Sequence, residues 1–154
     1  GSKKRYAGLL TDNKVQFNIQ RIYLKDLSFE SPMTPNIFTN MSSSPKVGFN
    51  FESNINKLDD ETHELTLTFN VKAEVENEIL YLVELKQCGV FTVNVDDEEL
   101  KKRFLNVHCA EIVYPYAREN ISSIIQKGGF PPLFLSPIDF HTIYQNELDK
   151  RNNS

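Results

Sequence analysis

The chain has 154 residues, 40% of them apolar and 25% charged, and a formal net charge of −4. That is the composition of a soluble globular domain long enough for a single core, and the acidic balance argues against nucleic acid as its main partner. No apolar run approaches the roughly 20 residues needed to cross a bilayer, so direct membrane insertion is not expected.

Gly1-Ser2 reads as a cloning scar and Lys3-Lys4-Arg5 as a short basic arm. Residues 1–14 are expected to form a disordered arm, 15–148 the folded domain and 149–154 a flexible tail. The start shows no secretory pattern, and the two cysteines, Cys88 and Cys109, read as reduced thiols, so a cytoplasmic location is expected. The first strand runs from Val15 to about Leu27. Val15, Phe17, Ile19 and Tyr23 point one way and Ile22 and Leu24 the other, so the apolar phase changes near Arg21: either a bulge sits there or the second half is covered on both faces. Ser31 to Pro45 breaks the strand pattern with Pro32, Pro35 and Pro45, yet carries Met33, Ile37, Phe38 and Met41, with Phe29 at its edge. Long irregular connections of this kind are more often functional than short ones.

Lys46 to Asn54 is a second strand, with Val47, Phe49 and Phe51 on one face. The third, His63 to Val75, alternates strictly and is the clearest half-buried strand. Asp59-Asp60-Glu61 forms a solvated turn before it, and Glu76-Asn77 turns the chain into a fourth strand from about Ile79. Cys88-Gly89 marks a bulge or bend in that strand. Asp96 to Glu99 opens a short helix, Glu98 to Leu105, with its acids at the positive end of the dipole. A longer helix begins near Pro115 with the stripe Ala117, Ile121, Ile124, Ile125, and Gly128-Gly129 stops it. Ser136 is the expected N-cap of the last helix, with Pro137 first and Asp139 three residues after the cap. Phe140, Ile143, Tyr144 and Leu148 form its buried stripe. Strands first and helices last predict an α+β fold: a four-stranded antiparallel sheet followed by C-terminal helices.

No motif for catalysis stands out. A G-x-S-x-G elbow, a P-loop and a G-x-G-x-x-G are all absent from the sequence. His63, His108 and His141 are scattered, and His108-Cys109 lacks the usual ligand spacing, so no metal and no catalytic residue is assigned. The chain carries 11 Phe and 6 Tyr but no Trp. Phe29, Phe38, Phe130 and Phe134 fall in segments too spread to share one compact core. Each taken singly reads as a satellite of the sheet; together they can line an apolar groove for an extended peptide.

Tyr114-Pro115-Tyr116-Ala117-Arg118-Glu119, Gly129-Phe130-Pro131-Pro132 and Leu135-Ser136-Pro137-Ile138-Asp139-Phe140 resemble the C-terminal half of the SecB family of protein-export chaperones. Phe17-Asn18-Ile19-Gln20-Arg21-Ile22-Tyr23, Lys25-Asp26 and Ser28-Phe29-Glu30 match nearer the start, so the resemblance spans roughly Val15 to Leu148. It implies a subunit that assembles as a homotetramer, a dimer of dimers with the long helices between the sheets. It implies no cofactor and no enzyme activity. The implied role is a holdase that binds unfolded precursor proteins and passes them to SecA, the translocation ATPase. The family's peptide groove, lined by the loop after the first strand and by the last helix, points to Phe29, Pro32, Ile37, Phe38 and Tyr144. Its SecA-contacting face points to Asp26, Glu30, Leu82 and Glu84. Tyr116, Asn120 and Ser123 are left for another subunit. The chain departs from the family pattern where Ala110 rather than Pro follows Cys109, at Asn120, and in ending soon after Leu148. The alternatives are a SecB-like adaptor dedicated to one protein partner and, more distantly, a small hydrolase using Cys109 and His108.

Overall fold

The strictly alternating run from His63 to Val75 builds the centre of the sheet. In a computed structural model, which describes residues 15–40 and 43–153, it forms β3 (Thr62–Val75). β2 (Lys46–Lys57) pairs on one side of it and β4 (Glu78–Asn94) on the other. β1 (Gln16–Glu30) pairs with β4, so four antiparallel strands lie in the order β1-β4-β3-β2. Leu65, Leu67, Phe69, Val71 and Ala73 are buried on one face of β3, as alternation predicts. Glu76 and Asn77 both take positive φ, 52° and 67°, and form the tight turn from β3 to β4. The expected arm over residues 1–14, the loop residue Met41 and the tail residue Ser154 lie outside the described residues.

The phase change in β1 has a register cause. Its pairing with β4 slips between Ile19 and Arg21 and again between Leu24 and Asp26. The two slips keep Phe17, Ile19, Ile22, Leu24, Leu27 and Phe29 opposite Val93, Phe91, Gly89, Gln87, Leu85 and Val83. Ile22 and Leu24 therefore rejoin the face of Phe17, while Tyr23 turns to the outer face, the reverse of the simple alternation expected. β1 runs on to Glu30, which places Phe29 in the strand rather than at a loop edge, and β2 runs on to Lys57. Residues Ile37–Asn40 of the long connection form one helical turn, α1.

Cys88-Gly89 is no bulge: β4 pairs with β3 without a break through both residues. Gly89 serves packing instead. A Cβ there would meet the Phe91 ring at 2.7 Å and the Val113 side chain at 2.9 Å. Its absence lets the long helix settle on the middle of the sheet.

The two helices expected from Glu98 and from Pro115 are one continuous helical run. It comprises α2 (Glu98–Arg103), a π-helical turn over Phe104–His108, and α3 (Cys109–Lys127). Asp97 caps its start, accepting from Glu99 N at 2.9 Å and Leu100 N at 3.3 Å. Pro115 sits inside α3. It removes a bond to the carbonyl of Glu111, but both residues are exposed, so that carbonyl faces the solvent side. Burial of Phe104, Leu105, Val107, Ala110, Val113, Tyr114 and Ala117 carries the helix through it. The Gly128-Gly129 stop is as expected. Gly129 takes φ +92°, its N–H bonds Gln126 O, and Phe130 N–H bonds Ile125 O, a Schellman pair.

The last helix, α4 (Phe140–Asn152), starts later than expected and runs through most of the expected tail. Its cap is Asp139, which accepts from Thr142 N at 3.0 Å and Thr142 Oγ1 at 2.7 Å. Ser136 does not cap it, because the Ser136 carbonyl accepts from the Tyr114 hydroxyl at 2.6 Å and stays in the extended connection. In that connection Phe130 and Leu135 are buried, whereas Phe134 is exposed. On α4 Phe140 and Tyr144 are buried and Ile143 is exposed.

Two expectations test this packing. Phe69 is wholly buried and its ring meets those of Phe49, Phe51 and Tyr114 at 6.3, 5.4 and 5.9 Å. Phe69→Ala should cost about 3–5 kcal/mol in urea unfolding, and Phe69→Asp should abolish folding. His63 is buried with Nδ1 unpaired, and its burial and the Lys101 ammonium hold the imidazole below the usual histidine value. The unfolded chain then takes up a proton near pH ~6.5 before the folded chain does. Stability should therefore fall as pH drops through that value, and His63→Gln should flatten this part of a melting-temperature profile.

Candidate functional site

The inner, helix-covered face of the sheet leaves an apolar surface at one end. Phe29, near the end of β1, stacks on Tyr81 with centroids 5.9 Å apart. Phe130 closes against both rings, at 6.4 Å from Phe29 and 5.2 Å from Tyr81. Phe38, from α1, lies 5.4 Å from Phe130. The double glycine makes this cluster possible beyond stopping α3. A Cβ on Gly128 would collide with the Phe29 ring, and one on Gly129 would press on Phe38 at 3.1 Å. Ile37 is buried beneath the cluster's rim, while Phe38 remains 54% exposed and Pro32 is exposed.

Of the five residues expected to hold a peptide, the structure gathers Phe29, Ile37 and Phe38 at this end. Tyr144 stands apart, over the opposite edge strand. It lines a cleft of about 410 Å³ with Phe51, Ser53, Phe140 and Ile143. The Arg103 guanidinium carbon sits 5.3 Å from the centre of its ring, and burial pushes its hydroxyl pKa up.

Alternation puts Val47 and Phe49 on one face of the second strand. They do face inward, opposite Ala73 and Val71, yet they stay 41% and 44% exposed because no helix reaches them. Val47 lies in one row with Ala73 and Tyr81, and Phe49 in one row with Val71, Val83 and Phe29. They extend the apolar surface from the Phe29–Tyr81–Phe130 cluster toward the Tyr144 cleft through the ring contacts Phe49–Phe69, Phe51–Phe69 and Phe51–Phe140. The only sequence signal for this was the high aromatic content of the second strand.

The outer face is polar. Asp26 and Glu30 of β1 and Leu82 and Glu84 of β4 all project from it: Glu30 pairs with Leu82, Ser28 with Glu84 and Asp26 with Lys86. Glu30, Leu82 and Glu84 line a shallow trough of about 710 Å³, and Asp26 lies beyond it along the strand. Farther along, Glu64 is buried, accepts from the Tyr23 hydroxyl, and takes Lys25 Nζ at 3.3 Å. The Tyr23 bond is the main reason its carboxyl stays below the ordinary range, and burial is the main reason the Tyr23 hydroxyl is pushed up.

Along α3, Tyr116, Asn120 and Ser123 fall at i, i+4 and i+7, one side of the helix. Tyr116 is exposed and Ser123 half-buried. Asn120 is occupied within its own subunit: its Nδ2 donates to Oε1 of the buried Gln87 at 2.8 Å. Leu24, which pairs with Gln87 across β1 and β4, is 43% exposed beside this helix.

Cys88 and Cys109 are both free and buried. Burial pushes the Cys109 thiol well up, which makes it a packing residue rather than a nucleophile, and the neighbouring His108 pairs with Glu111 at 3.7 Å. Among the described residues no cluster of His, Cys, Asp and Glu has the form of a metal site, and no helix is long and apolar enough to cross a membrane.

A family model described as preprotein translocase subunit SecB matches residues 11–151. The protein-export protein SecB of Methylococcus capsulatus is 40% identical over 133 residues, covering 86% of this chain and 85% of that protein. That of Marinobacter nauticus is 39% identical over 145 residues, covering 94% and 87%. Among solved structures, a SecB-like chaperone of Mycobacterium tuberculosis in complex with a ChAD peptide from an antitoxin shares the fold. It aligns with a TM-score of 0.67 at 16% identity, over 79% of this chain and 90% of that one. With an antiparallel sheet of that fold, an uncovered apolar margin on one face and relatives this similar over most of its length, the chain belongs to the SecB family of protein-export chaperones.

Proposed function

We propose that this chain is a cytoplasmic holdase that keeps unfolded precursor proteins export-competent and delivers them to the SecA translocation ATPase. The observation that carries the reading is the bare apolar margin of the inner face, where Phe38, Val47 and Phe49 stay open beside the Phe29–Tyr81–Phe130 cluster. An extended client laid there buries its own apolar side chains without any demand on sequence. Full burial of one such side chain is worth about 1.5–3 kcal/mol. Micromolar affinity needs about 8 kcal/mol, so about three to five such contacts must hold one chain, and sharing a chain among several subunits raises the effective concentration.

Multivalency calls for assembly, and we assign it to a dimer of dimers. The outward side of α3, with Tyr116 and Ser123, and the neighbouring exposed Leu24 form the surface that another copy covers. Asn120 supports that surface indirectly, by fixing Gln87 beneath the helix. Among the described residues β1 and β2 are the edges of the sheet, where a neighbouring subunit or client can add a strand. SecA is assigned to the outer face through Asp26, Glu30, Leu82 and Glu84, whose side chains register on adjacent strands. The family reading requires no cofactor and no covalent step.

Phe38→Asp combined with Phe49→Asp should weaken capture of an unfolded protein roughly tenfold or more, as two apolar contacts become desolvated charges. The delay this protein imposes on client refolding should shrink accordingly, with melting temperature and oligomer mass nearly unchanged. Full holdase activity in the double variant refutes the assignment of the inner margin. For assembly, light scattering at micromolar concentration should give a tetramer, and Tyr116→Asp or Ser123→Arg should shift it toward dimers. A monomer for the unmodified chain removes both the architecture and the multivalency argument.

A further inference from the structure

The trough on the outer face has two walls of opposite charge. Glu30 and Glu84, from β1 and β4, stand on one side. Lys46 and Lys72, from β2 and β3, stand on the other. Leu82 lies between them on β4, directly across from Lys72. Above Gly48 the space is open: a Cβ there would meet nothing within 4 Å. Lys72 Nζ pairs with Glu74 at 3.5 Å, and Lys46 lies across the strands from the same Glu74, so two lysines against one glutamate leave the wall one net positive charge. Glu30 and Lys72 lie in one row two strands apart, about 10 Å, while Glu84 and Lys72 stand on adjacent strands two residues out of register and Lys46 lies farther along β2.

We propose that the trough docks a dipolar segment of a partner protein. That segment carries basic side chains over Glu30 and Glu84, an acidic side chain over Lys46 and Lys72 that stands about 10 Å from the one over Glu30, and an apolar side chain toward Leu82. Lys46 and Lys72 are thus positioning residues that set the orientation of the partner on the sheet. A surface of one sign attracts a partner in any rotation. A surface with both signs admits one arrangement and repels the reversed one. The inference rests on the reading that SecA is the partner on this face, and it adds the second half of the contact.

The test uses the full-length chain with SecA as probe and measures affinity at several salt concentrations. Lys46 and Lys72 are exposed, so Lys46→Glu with Lys72→Glu should leave oligomer mass unchanged and lower the melting temperature only slightly, through loss of the Lys72–Glu74 pair. This double variant should weaken SecA binding roughly three- to tenfold, with the loss shrinking as salt screens the contact. Asp26→Lys with Glu84→Lys serves as the reference for the acidic wall and should weaken binding as well. A purely basic partner surface gives the opposite result for the lysine pair, because new carboxylates would tighten it. Tighter or unchanged binding in Lys46→Glu with Lys72→Glu, alongside weaker binding in Asp26→Lys with Glu84→Lys, overturns the dipolar trough and leaves the SecA reading standing. No SecA binding by the unmodified chain overturns both.

Discussion

The contact between α3 and the middle of the sheet governs the rest of the molecule. An α-helix with its side chains is about 10 Å across, while four strands at a spacing near 4.8 Å span considerably more. One helix therefore covers the central strands and leaves the margins. Here the helix settles where Gly89 offers no Cβ, so that Val113 and the Phe91 ring fill the space, and where Asn120 reaches Gln87. The bond joins a buried Gln87 to a half-buried Asn120, which fixes the helix's position as well as its depth.

Both open margins follow from that width. On the β1 side, Leu24 and the outward flank of α3 are left open. On the β2 side, Val47 and Phe49 are left open, because α4 reaches only as far as Phe51, through Phe140 at 5.8 Å. The connection after α3 partly covers the far end by setting Phe130 on Tyr81 and Phe29, and that cover adds an aromatic wall with Phe38 on its rim. A protein that must hold many unrelated chains needs apolar surface that its own fold cannot bury. A sheet wider than its covering helix supplies such surface without loss of the core.

The outer face obeys a different constraint. An antiparallel sheet tolerates water on one side, provided that its polar groups are satisfied there. Tyr23, Lys25 and Glu64 meet that demand toward one end, and a Thr66–Cys88 contact at 3.3 Å lies in the row beside them. The other end is left as a charged trough. The open apolar margin and the charged trough thus lie on opposite sides of one four-stranded layer.

Much of this was legible from residue pattern. Strict alternation from Leu65 to Val75 identified the central strand, Glu76-Asn77 the tight turn and Gly128-Gly129 the helix stop, while the phase change near Arg21 left a bulge as one of two readings, which the register decides. The blocks around Tyr114-Pro115-Tyr116 and Gly129-Phe130-Pro131-Pro132 identified the family. These are local signals, carried by backbone sterics and by periodicity within one element. What the sequence could not decide were contacts between elements. Pro115 reads as a helix start, but burial of the Phe104–Tyr114 stretch carries the helix through it. Ser136 reads as a cap, but Tyr114 takes its carbonyl and Asp139 caps instead. Gly89 reads as a bend, but it is a place for a helix to rest. Above all, Val47 and Phe49 alternate like any core-facing residues, and Phe130 sits among prolines like a loop residue. Only the finite reach of α3 and α4 over the sheet decides that the first two stay open and the third is buried.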